Sequence, residues 1–61
     1  MDEALVDKVV AALGLEATHY SEIAQTLSAE PWDILDVCRR LVREGKAREE
    51  EGRRRGYFAS A

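Results

Sequence analysis

Cysteine occurs once in this chain of 61 residues, at Cys38, so no disulfide can form within it and nothing calls for an oxidising compartment. Histidine also occurs once, at His19, and one histidine with one cysteine falls short of the ligand set of a zinc site. Ser21 and Ser28 have no base at a fixed spacing, and no glycine-rich phosphate loop is present. The expectation is therefore no catalysis, no metal and no cofactor. The longest apolar runs, such as residues 9–13, fall far below the roughly 20 residues that cross a bilayer, and no basic start leads into an apolar signal segment. A cytoplasmic location with no membrane partner follows as the default. The chain also has no internal repeat, which leaves room for one domain over 1–61 with one small core. At this size most apolar side chains are needed for burial. Met1 at the start is expected of a whole small protein or an N-terminal domain.

Bases are outnumbered by acids, nine to twelve, and the net charge of −3 on its face disfavours a polyanionic partner. The distribution tells a different story. Residues 1–38 hold one base, Lys8, against eight acids, a net of −7, whereas residues 39–61 hold eight bases against four acids, a net of +4. Such a split can orient a small protein on a polyanion with its basic end toward phosphate. The alternative is that the charges only keep a small domain in solution.

Leu5, Val6, Val9, Val10 and Leu13 recur at helical spacing and predict a first helix over 2–13, with Asp2 and Glu3 at the favourable end of its dipole and Gly14 as its stop. Residues 15–18 then connect, and part of them can add an edge strand to a later hairpin. A second helix is predicted over 19–27, starting at His19 or Tyr20 and capped either by Thr18 or by His19 with Glu22 as reciprocal partner. Ser28, Ala29 and Glu30 form a turn, because Pro31 lacks an amide hydrogen and suits the first position of a new helix. That third helix is predicted over 31–44, with Asp33 in its first turn and Gly45 as the left-handed residue that ends it. Cys38 falls among Ile34, Val37 and Leu41 and reads as a small core residue. Residues 46–51 and 56–60 read as the strands of a hairpin over 46–60, whose tip is Gly52-Arg53-Arg54-Arg55-Gly56. Tyr57 and Phe58 must face opposite sides of a strand, and the expectation places Tyr57 and Ala59 inward.

The core stripe of the third helix leaves Trp32, Asp33, Leu35, Asp36, Arg39, Arg40 and Arg43 on the opposing arc. Arg39 and Arg40 are competent for bidentate contact with guanine or for phosphate contact, and Arg43, further along, suits phosphate. Asp33 or Asp36 could accept from a cytosine amino group; alternatively they stabilise the helix start, or Asp36 pairs with Arg39 or Arg40. Arg53, Arg54 and Arg55 repel one another and gain little for folding, so a partner anion explains them, unless Glu49, Glu50 and Glu51 neutralise them across the hairpin. Trp32 is either a lid packing on the second helix or, with Leu35, a contact surface for a protein or an unstacked base.

Ser21-Glu22-Ile23-Ala24-Gln25-Thr26-Leu27, the ending Leu41-Val42-Arg43-Glu44-Gly45-Lys46-Ala47, and Arg55-Gly56-Tyr57-Phe58 together resemble the winged helix-turn-helix superfamily over nearly the whole chain. The resemblance implies an α+β fold of three helices with a C-terminal β-hairpin wing. It implies duplex DNA as partner, in the manner of a transcriptional regulator or DNA-binding module, with the third helix in the major groove and the wing on the backbone. Dimeric binding is part of that expectation, and a protein-docking role for the acidic face with Trp32 and Leu35 is the alternative. The chain is also similar in length and spacing to the Z-DNA-binding branch. It departs from that branch at Leu35 and Arg39, where a signature asparagine and tyrosine would stand, and at Arg54 and Arg55, where prolines would.

Overall fold

The computed structural model describes residues 3–52 and 55–61, and within them the chain is a small α+β domain of three helices and a three-stranded antiparallel sheet. The elements run α1 (Glu3–Ala12), β1 (Thr18–His19), α2 (Tyr20–Leu27), α3 (Pro31–Arg43), β2 (Ala47–Glu49) and β3 (Tyr57–Ser60). Their order matches the expectation, with each helix and each hairpin strand one or two residues shorter at one or both ends. The connection after α1 does contribute an edge strand: Thr18 faces Phe58 and His19 faces Tyr57, which makes β3 the central strand. β2 pairs with its other edge through Ala47 with Ser60, Arg48 with Ala59, and Glu49 with Phe58.

The helix ends have identifiable causes. His19 caps α2, its Nδ1 accepting from the backbone N–H of Ser21 at 3.2 Å and lying 2.7 Å from Ser21 Oγ, so His19 rather than Thr18 satisfies that orphan donor. Pro31 opens α3, and Asp33 occupies its first turn. Gly45, at φ 75°, closes α3: its N–H donates to Val42 and that of Lys46 to Leu41, at 3.1 and 2.8 Å, so two terminal carbonyls are satisfied. The end of α2 uses the same closure without a glycine. Ser28 takes φ 54° there, and the N–H of Ala29 donates to Ala24 at 2.9 Å.

The core is built by Val6 and Val9 of α1, Ile23 and Ala24 of α2, Ile34, Val37, Cys38 and Leu41 of α3, and Ala47 and Phe58 of the sheet. Burial pushes the Cys38 thiol up to about 11, so it stays protonated as a small hydrophobe. Two expectations are corrected here. Phe58, not Tyr57, is the ring that enters the core, at 0% exposure; Ala59 is also buried, outside the core cluster, while Tyr57 is half-buried and meets His19 edge-on at 5.1 Å. Phe58 is on the sheet face that packs against the helices, where it joins Val9, Ile34 and Leu41 in the core, and Tyr57 is on the other face. Leu35 likewise is not part of a free outer surface but packs, partly buried, against the core.

Candidate nucleic-acid interface

Helical geometry advances each residue by about 100°, so positions separated by four, seven and eleven residues return to nearly the same line. On α3 that line is Trp32, Asp36, Arg39 and Arg43, all four exposed, opposite the buried line of Ile34, Val37, Cys38 and Leu41. The hairpin stands beside the C-terminal half of this outward line. Between them lies an open cleft of about 710 Å³, lined by Arg39, Val42 and Arg43 from the helix and by Glu49, Glu50, Glu51, Gly52 and Arg55 from the hairpin.

The sequence-predicted arginines divide into two sets. Arg40 is clasped inside the molecule, its Nε donating to Glu44 and its Nη2 to Glu3, both at 3.1 Å. Those carboxylates hold its guanidinium above its ordinary range, and Arg40 in turn holds the Glu44 carboxyl below its own. Arg40 is therefore a tie between α1 and the end of α3, which corrects its expected place on the outward surface. Nor does it pair with Asp36; the i,i+4 partner Glu44 and the distant Glu3 take that position instead. Arg39, Arg43 and Arg55, by contrast, have no carboxylate within ion-pair distance among the described residues. Arg53 and Arg54, expected to act with Arg55, lie outside the described residues.

The glutamates of the cleft have structural duties that sequence reading did not assign. Glu49 Oε2 accepts from the N–H of Gly56 at 3.0 Å, tying the two ends of the hairpin loop. Glu50 pairs with Arg48 at 3.1 Å, and Arg48 also donates to the Leu15 carbonyl at 3.0 Å, which pins β2 to the loop after α1. Lys46 lies 3.6 Å from Glu44. Glu51 is exposed on the cleft wall. The cleft thus carries both signs, with three arginines uncommitted and two of three glutamates engaged by the hairpin itself. The Arg40–Glu44, Glu44–Lys46 and Arg48–Glu50 pairs are local in the sequence, whereas the partners Glu3 and Leu15 are remote in the chain and have no local signal.

Trp32 stands at the other end of the outward line, 69% exposed, with the Tyr20 ring 6.4 Å away. It meets α2 through Tyr20, as one expectation had it, but with most of its surface open it covers little of the core. Tyr20 continues to His19 at 4.4 Å, and a side chain at Gly56 would collide with both rings. Among the described residues no group of three or more His, Cys, Asp or Glu could hold a metal ion, and no helix is long and apolar enough to cross a membrane. No family model matches the chain, and no curated protein or solved structure matches it either.

Proposed function

We propose that the chain is a winged helix-turn-helix domain that binds duplex DNA, with the C-terminal half of the outward line of α3, Arg39 and Arg43, in the major groove and the hairpin acting as a wing along the adjacent backbone. One observation carries this reading: Arg39, Arg43 and Arg55, from two separate elements, line one cleft with no carboxylate at ion-pair distance from them among the described residues, while Arg40 and Arg48 nearby are each clasped. Guanidinium groups left open to solvent do little for folding but suit phosphate and guanine edges in a bidentate manner. Helix order and the position of the hairpin, together with the superfamily resemblance, support the same assignment. Arg53 and Arg54 extend the cationic stretch in the sequence. Glu51 opposes a polyanion and sets the affinity of the isolated domain low. A cytoplasmic DNA-binding module, acting in regulation or within a larger assembly, fits so small a contact surface.

Titration of a labelled duplex at two salt concentrations tests this. Binding at low salt that weakens steeply at high salt, and disappears in the triple variant Arg53→Ala, Arg54→Ala, Arg55→Ala, is expected. Absence of binding at the lower salt would refute it.

A further inference from the structure

We propose a second binding surface, separate from the arginine cleft: the exposed face around Trp32, as a docking site for a protein segment that presents an arginine or lysine side chain. Trp32 is the sole tryptophan of the chain, and its ring lies at 33° to that of Tyr20 rather than in the core. Asp36 follows one turn later on the same line, and Glu30 and Asp33 bracket the indole in the chain; all three are exposed, without an ion-pair partner among the described residues. A tryptophan face attracts a cation through its quadrupole more strongly than the other aromatic rings do. Carboxylates on the same turns add to that attraction and repel phosphate. The charge thus selects the occupant. A nucleobase stacked on Trp32 would bring its phosphate toward Asp33 and Asp36, whereas a guanidinium could lie on the ring and donate to either carboxylate. The net −7 of residues 1–38 favours approach of a basic segment to this end of the molecule. This surface does not depend on the cleft binding DNA.

The native tryptophan emission provides the readout. The full chain is titrated at low ionic strength with a short peptide of alternating glycine and arginine, and in parallel with one of alternating glycine and glutamate. A saturable change with the first peptide and none with the second is expected. By calorimetry, Trp32→Ala should weaken the arginine peptide roughly tenfold. Asp33→Asn with Asp36→Asn should weaken it several-fold, about fivefold. Asp7→Asn with Glu16→Gln removes the same charge elsewhere and should change affinity less than about twofold, and Arg39→Ala with Arg43→Ala should not weaken it. Three results overturn the proposal: no saturable response to the arginine peptide, equal losses in the two acidic double variants, or sedimentation showing a dimer that Trp32→Ala converts to monomer. In the last case a second copy of the chain is the occupant. Loss of duplex binding in the arginine variants with peptide binding intact would separate this surface from the cleft.

Discussion

Along its inward side α3 carries Ile34, Val37, Cys38 and Leu41, each at 1% exposure or less; along its outward side the same helix carries Trp32, Asp36, Arg39 and Arg43, all exposed. The inward line is explained by folding, since a chain this short needs each of those side chains for its one core. Among the described residues no carboxylate pairs with Arg39 or Arg43 on the outward line. Adjacent residues make the contrast sharper: Arg40 is held by Glu3 and Glu44, while Arg39, one step around the helix, opens onto the cleft. An arginine count or a net charge does not separate these two environments; the carboxylates around each guanidinium do.

The largest expected difference between the two lines is in stability. Leu41→Ala should cost about 2–5 kcal/mol and Phe58→Ala about 3–5 kcal/mol by chemical denaturation, because each empties a fully buried site. Arg39→Ala and Arg43→Ala should stay within about 0.5 kcal/mol of the parent. Comparable losses on both lines would erase the distinction.

Gly56→Ala comes next. The residue sits at φ 97°, and a Cβ there would lie 2.8 Å from Tyr20 Cδ1 and 3.0 Å from His19 Nε2, so a loss on the order of 1–3 kcal/mol is expected in thermal melts. An unchanged melting temperature would mean that the hairpin does not seat against α2 as described. Ser28→Gly should act in the opposite direction, gaining about 0.5 kcal/mol by relieving a left-handed serine, and a loss there would contradict the closure assigned to α2.

The smallest effect concerns the clasp itself. Arg40 holds the Glu44 carboxyl below its ordinary range, so its contribution to stability is present above the unfolded carboxylate pKa and is lost as pH falls through the lowered folded value. Glu44→Gln should remove that part of the acid sensitivity while leaving the pH dependence near neutrality as it is. An acid-unfolding profile identical to the parent's would show that the clasp carries none of it.

Much of this architecture was legible in the chain. Pro31 and Gly45 bracket α3, the helical recurrence of Ile34, Val37, Cys38 and Leu41 marks its buried line, and the glycine-flanked arginines mark a hairpin tip. The end of α2 at Leu27 was legible from the turn before Pro31, although the left-handed residue that closes it is Ser28 and not a glycine. The inward ring of β3 is not fixed by alternation, which says only that Tyr57 and Phe58 differ; the choice depends on which sheet face packs against the helices. The arginines of the cleft were legible only as two separate groups. Its glutamate wall was legible as Glu49, Glu50 and Glu51 facing the tip arginines, but the removal of Arg40 from the outward surface depends on a pairing between residues distant in sequence, Glu3 with Arg40.

The salt dependence of duplex binding, compared between the neighbours Arg39 and Arg40, tests the central claim most directly. Arg39→Ala should weaken binding and lower the slope of log K against log salt by up to about 0.9 if Arg39 contacts a phosphate, whereas Arg40→Ala should leave the slope unchanged. Equal effects from the two substitutions, or a parent that fails to bind at low salt, would contradict the division between clasped and open arginines on which the assignment rests.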